Sequence, residues 1–337
     1  MTVASSDQAH YEPLTPRAAW QLAAPPSWVA SIGPVLVGGL MALLVNSTSL
    51  VPGTELRIFG FFLGALRRPA LSFRMVALWV LMLVCAVAAQ SAANALNDYK
   101  DFVAGTDTEE NCTDATDASI IYNRLEPKSA RDFGIACLIV ALAAGIAVSL
   151  MSTPWLLLLG AIGAVALLSY SYGPVPVSYL PLGELVSGLT FGLLIAVATF
   201  IALTGYFNWL VLLPCIQQII SIALIMMTNN ICDIERDQKS GRHTLPVLLG
   251  RKRALTVLAV GDMMALASLV VFAALLGWLS CIPVLIACVM FSGLLPRFSS
   301  LHFDVRDRPQ AMAVSMRLAC LLGAANVVAL LLAVFWH

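Results

Sequence analysis

The sequence predicts an all-α membrane protein of about nine transmembrane helices, and two observations carry that prediction. Of its 337 residues, 60% are hydrophobic and only 11% charged, which is more apolar side chain than one soluble core can hide. The apolar residues also fall in charge-free runs near the roughly 20 residues a helix needs to cross a hydrocarbon layer, where only helices and closed barrels satisfy their own backbone. A formal net charge of zero argues against a nucleic-acid partner. The N-terminus lacks a basic region leading into a short apolar stretch and a cleavage site, so no removable signal peptide is expected.

Nine runs follow in order: Trp28 to Val45, Met75 to Ala95, Phe133 to Leu150, Trp155 to Ser171, Gly183 to Leu203, Trp209 to Thr228, Ala254 to Gly277, Ile282 to Leu295 and Leu318 to Phe335. The eighth is the shortest for a crossing. Residues 1–24 are expected to form an N-terminal cytoplasmic tail and residues 25–337 a single transmembrane domain. Six cysteines, Cys85, Cys137, Cys215, Cys281, Cys288 and Cys320, lie inside apolar runs without metal-ligand spacing and read as packing residues. Cys112 and Cys232 are expected in cytoplasmic loops, where disulfides are rare.

Every Lys and Arg sits between or at the ends of the runs, so their distribution orients the array. With the N-terminus inside, all but four of the 19 basic residues are cytoplasmic. The exceptions, Arg57, Arg67, Arg68 and Arg74, lie between the first two runs and suit headgroup anchors. Outer connections after the third, fifth and seventh helices are very short. Two inner ones, Asn97 to Asp132 and Asp233 to Arg253, are long and charged, which places function on the inner face.

Those inner loops carry the chemistry. The second helix ends in Asn94-Ala-Leu-Asn97-Asp98-Tyr99-Lys100-Asp101 and continues to Gly105 and Asp107, while the sixth ends in Asn229-Asn230-Ile-Cys232-Asp233-Ile-Glu235-Arg236-Asp237 and continues to Gly241. Asn97, Asp101 and Gly105 step by four and four, and so do Asp233, Asp237 and Gly241. The shared spacing implies two pseudo-equivalent halves. At i and i+4 each pair projects from one helix face.

Stacked carboxylates at membrane depth repel and are costly to desolvate, so they need a cation. Magnesium takes oxygen ligands from one or two carboxylates and completes its shell with water and substrate phosphate, which suits two sparse acidic clusters. The expected ligand is therefore a diphosphate. Lys128, Arg131, Lys239 and Arg242 are candidate phosphate contacts, although each serves equally well as a positive-inside anchor. Glu109, Glu110, Asp114 and Asp117 read as acids that solvate a surface loop. Between the fourth and fifth helices, Tyr170, Tyr172 and Tyr179 stand in a Gly/Pro-broken segment. They line a cavity and stabilise a cation there, or form an interfacial belt. Asp262, inside the seventh helix, is expected to make a packed polar contact.

At these residues the sequence resembles the UbiA superfamily of intramembrane aromatic prenyltransferases, most closely its MenA branch, the 1,4-dihydroxy-2-naphthoate polyprenyltransferases. Four blocks carry the resemblance: Trp20 through Gly33-Pro34-Val35 to Gly38; Asn97-Asp98-Tyr99 with Asp101, Gly105 and Asp107; Tyr172-Gly173-Pro174 through Leu182-Gly183-Glu184 to Phe191-Gly192; and Asn229-Asn230 with Asp233, Asp237, Gly241, Thr244 and Leu245. The resemblance implies nine helices around a central cavity, Asp98, Asp101, Asp233 and Asp237 as catalytic carboxylates, and magnesium on Asn97, Asp101, Asp107, Asp233 and Asp237. It places Asn97, Tyr99, Tyr170, Tyr172, Asn229 and Asn230 with the basic candidates around a polyprenyl diphosphate, and implies dihydroxynaphthoate as acceptor, with membrane lipid around the isoprenoid tail. Location in a bacterial inner membrane, with the site facing the cytoplasm, is expected. Pro25, Cys232 and Leu248 depart from the branch, which usually carries basic residues there. Alternatives are another aromatic acceptor such as 4-hydroxybenzoate or homogentisate, a transporter built from paired half-repeats, or an inactive binding scaffold.

Overall fold

The computed structural model describes residues 11–47, 71–108 and 118–336. Within them the chain is helical and has no strand beyond one isolated bridge between Glu12 and Leu125. A short helix α1 (Pro16–Ala23), capped by the Thr15 hydroxyl, leads through a tight turn at Pro25–Trp28 into α2 (Val29–Ser47). Next come α3 (Phe73–Ala104), the single turn α4 (Ser119–Tyr122), α5 (Pro127–Met151) and α6 (Trp155–Ser171). After the Tyr-Gly-Pro segment, α7 spans Gly183–Thr204, followed by α8 (Leu212–Cys232) and two short helices, α9 (Ile234–Lys239) and α10 (Leu245–Leu249). The bundle closes with α11 (Arg251–Leu276), α12 (Trp278–Ser299) and α13 (Arg308–Phe335).

Eight of these helices are long and apolar enough to cross a membrane, and α6 is a shorter apolar helix of 17 residues. The expected weak eighth run is a full helix, because polar and Pro positions outside Ile282–Leu295 continue it to Trp278 and Ser299. The connections expected to be short are so, a single Gly277 joining α11 to α12. Arg74 donates to the Met151 carbonyl, which ties the start of α3 to the end of α5 at the face opposite the aspartates. Arg57, Arg67, Arg68, Cys112 and the loop acids Glu109, Glu110, Asp114 and Asp117 lie outside the described residues. The other seven cysteines are free thiols, and Cys232, expected in a loop, is the buried last residue of α8.

Two apolar cores hold the bundle, one built on α2, α3, α7 and α8, the other on α8, α11, α12 and α13. In lipid, helices associate through close packing rather than hydrophobic exclusion, which favours glycine at contacts. Gly188 and Gly192 lie on α7 in a stretch of wider π-type winding (Gly188–Leu194), and a Cβ on either would sit 2.6 Å from Ile219 backbone atoms of α8. The segment before α2 packs on α3 through Leu14, Ala18 and Leu22, the last two buried beside Ala95, Ile120 and Leu125.

Candidate active site

The two aspartate-bearing helix ends meet. α3 continues two turns past its apolar run to Ala104, so Asn97, Asp98 and Asp101 all project from helix before Gly105, with φ of +70°, ends it. The N–H of Thr106 then bonds back to the Asp101 carbonyl at 3.0 Å. In the second half, Gly241 has φ of +73° and the Arg242 N–H bonds back to the Asp237 carbonyl at 2.8 Å. Positive φ is a conformation glycine adopts without a Cβ penalty. The repeated spacing therefore encodes a repeated turn that returns the chain over its own aspartate.

Arginines of the second half hold aspartates of the first. Arg242 forms a close ion pair with Asp101, approaches Asp237 at 3.8 Å and lies over the Tyr179 ring at 5.1 Å. Arg236 contacts Asp233 at 2.7 Å and Asp107 at 3.5 Å. Arg308, at the start of α13, donates twice to Asn229 Oδ1 and comes within 3.5 Å of Asp233. Asp233 and Asp237 are each 2% exposed, so these charges interact in a poorly screened setting. Burial pushes Asp233 up to about 7 against the pull of Arg236, and burial with the Asp101 charge pushes Asp107 up to about 6. Asp237 is raised by burial as well, despite Arg242 and a hydrogen bond from the Thr244 hydroxyl.

Beneath this charged mouth lies a cavity of about 860 Å³. Its polar rim includes Asn97, Asp98, Asp101, Asp107, Asn229, Asn230, Arg236, Arg242 and Arg308, and its body is walled by Leu, Ile, Ala and Gly of α3, α5, α6 and α7. Tyr170 lines it, with its hydroxyl 3.1 Å from Met226 Sδ. Ser171 donates to Asn97 Oδ1 at 2.7 Å, and Asn97 donates to Asp101 at 3.2 Å. Glu184 accepts from Asn230 at 2.9 Å. Asp233 and Asp237 reach the cavity through the arginines they bind.

Other sequence candidates lie elsewhere. Lys128 and Lys239 are exposed, and Arg131 pairs with its neighbour Asp132 at 2.7 Å. Tyr172 donates to the Leu96 carbonyl and carries Lys100 over its ring, and neither it nor Tyr99 lines the cavity. The rim residues Arg236, Arg308 and Ser171, and Glu184 behind Asn230, are not among the site residues the sequence predicts. Arg236 stands three residues after Asp233, a pairing signal the spacing does offer; Arg308 carries no local signal.

Among the described residues, no three His, Cys, Asp or Glu side chains converge to form a self-sufficient metal centre. Magnesium asks for less, since one or two carboxylates suffice when phosphate oxygens complete the shell. Asp98 Oδ1 and Asp233 Oδ1 are buried without a hydrogen-bond partner among the described residues. Unpartnered buried anionic oxygens are the donor set a hard divalent cation requires, so the site fits one.

A helical bundle of membrane-spanning length with a buried charged mouth over one apolar cavity defines an integral membrane protein whose cavity is polar at one end and apolar in its body. The chain belongs to the UbiA prenyltransferase family, whose sequence pattern matches residues 57–321. It is 32% identical over 240 residues to a Bacillus subtilis protein named 1,4-dihydroxy-2-naphthoate octaprenyltransferase, covering 71% of this chain and 68% of that one. The fold is similar to a UbiA homolog from Aeropyrum pernix K1 in its apo form, with a TM-score of 0.61 and 18% identity over 88% of this chain and 96% of that one. It is also similar to a UbiA homolog from Archaeoglobus fulgidus bound to GPP and Mg2+, with a TM-score of 0.57 and 15% identity over 93% and 99% of the two chains.

Proposed function

We propose that this protein transfers a polyprenyl group from a prenyl diphosphate to 1,4-dihydroxy-2-naphthoate, with loss of the carboxyl group as carbon dioxide. The observation that carries the reading is the joining of two distant aspartate motifs, through Arg242 and Asp101, at the mouth of one apolar cavity. The Bacillus relative supports the acceptor, and the Archaeoglobus homolog's GPP and Mg2+ support the donor and the metal.

In this reading residues 25–337 act as one domain, with the site facing the cytoplasm of a bacterial inner membrane. Asp98, Asp101, Asp107, Asp233 and Asp237, with Asn97, would hold magnesium, which when bound neutralises the diphosphate and makes it a better leaving group. Arg236, Arg242 and Arg308 orient the phosphate oxygens and take up the charge that grows on them as the C1–O bond breaks. The diphosphate leaves with the electron pair, and the apolar walls keep water from the allylic cation. Tyr170 offers its ring to that cation from the cavity wall. The electron-rich naphthoate ring supplies the pair for the new C–C bond and recovers aromaticity as carbon dioxide departs.

The test is purified protein in detergent with dihydroxynaphthoate, a long prenyl diphosphate and magnesium, followed by mass spectrometry. Prenylated, decarboxylated naphthoquinol is expected from the wild type and not from Asp101→Ala or Asp237→Ala. Prenylation of 4-hydroxybenzoate or homogentisate instead would retain the chemistry and overturn the acceptor. No prenyl transfer to any aromatic acid would overturn the enzyme.

A further inference from the structure

The repeat that aligns Asn97, Asp101 and Gly105 with Asp233, Asp237 and Gly241 also aligns Asn94 with Asn230. Both asparagines line the cavity, three residues before Asn97 and Asp233 in the chain. Each amide is held in one orientation. Asn94 donates from Nδ2 to the Ala23 carbonyl at 3.0 Å and to the Ser27 hydroxyl at 3.0 Å. A carbonyl only accepts, so the amide nitrogen must face Ala23 and Oδ1 must face away. Asn230 donates from Nδ2 to the Glu184 carboxylate at 2.9 Å, which fixes its Oδ1 in the same sense. Neither Oδ1 is among the buried unpartnered atoms, so both remain accessible from the cavity. The Ser27 anchor is itself braced, since Gln90 donates to its carbonyl and hydroxyl while accepting from Ser31.

We infer that Asn94 and Asn230 form a pseudo-symmetric pair of hydrogen-bond acceptors for the two hydroxyls of an aromatic diol. The inference rests on the naphthoate reading and adds the groups that select its acceptor. The diol carries two phenolic O–H donors on one flat ring, and α3 and α8 each present one amide oxygen to the same cavity. Acceptance of those protons also enriches the ring in electron density where it must attack. Glu184 acts as a positioning residue here: it touches Asn230 and holds the amide from turning over.

The experiment measures binding to the full-length protein in detergent, without prenyl diphosphate, of 1,4-dihydroxy-2-naphthoate and of its two mono-O-methyl ethers, which each lack one donor. Asn94→Leu and Asn230→Leu, close to isosteric, are each expected to weaken the diol about tenfold, the worth of one hydrogen bond at a buried site. For each variant that loss should vanish with one of the two ethers, a different ether for each. Glu184→Gln, whose amide oxygen still accepts from Asn230, should bind the diol like wild type, whereas Glu184→Leu should resemble Asn230→Leu. Wild-type helical circular dichroism and a cooperative thermal unfolding transition in detergent show that the variants are folded. Equal losses for diol and both ethers would overturn the inference in favour of packing and leave the naphthoate reading standing. Failure of the wild type to bind the diol would overturn both.

Discussion

At the scale of single residues the site is a charge network held together by arginine. Arg242 is buried between Asp101 and Asp237, and removing one partner of a buried pair leaves the other charge uncompensated. Arg242→Gln is expected to destabilise the metal-free protein by about 3 kcal/mol, read as a fall in the thermal unfolding temperature in detergent, with magnesium restoring part of the loss. An unchanged unfolding temperature would mean the pair contributes nothing. The raised Asp107 and Asp233 give a pH dependence of defined sign. Their ordinary value is 3.8, and in the fold they reach about 6 and about 7. The metal-free protein is therefore most stable below about 4 with respect to these two groups and loses that contribution as pH rises through about 7. Metal binding needs them ionised, so kcat/KM should fall as pH drops from about 7 to 6, and added magnesium should move that limb to lower pH. The aspartates were legible because their spacing repeats. Lys128, Arg131 and Lys239 were not separable from Arg242, since all are cations of the same two charged connections and only packing decides which one faces inward. Arg308, distant in the chain, joins the site by folding alone.

At the scale of elements, the hydropathy runs marked each long apolar helix among the described residues, because a membrane asks for length and little else. Their ends were less legible. α3 outruns its apolar segment to Ala104 because its last turns are sheltered in the mouth, where charged residues find partners. The wide winding of α7 between Gly188 and Leu194 has no hydropathy signal, yet it brings two glycines onto α8. Gly192→Ala places a Cβ 2.6 Å from the Ile219 nitrogen, and backbone cannot give way as a flexible side chain can. A loss of about 1–3 kcal/mol is expected for this overpacking, measured by thermal unfolding. Gly293→Ala, whose Cβ meets nothing within 4 Å, should be neutral or slightly stabilising. Equal responses would show that the α7–α8 contact does not hold the bundle as described.

At the scale of the whole molecule, α3 and the α8–α9 segment each lead into an acidic turn, and the fold brings the two turns together at one cavity. The sequence implied the halves by spacing but not the arginines that cross between them, because Arg242 and Asp101 are 141 residues apart. The central claim is that the two ends hold one diphosphate between them. Calorimetric titration of prenyl diphosphate with magnesium into wild type, Asp101→Asn, Asp237→Asn and the double variant tests it directly. A single site shared by both halves predicts one ligand per chain, strong loss in either single variant, and a double variant little worse than the singles. Two ligands per chain in the wild type, with one surviving in each single variant, would contradict it.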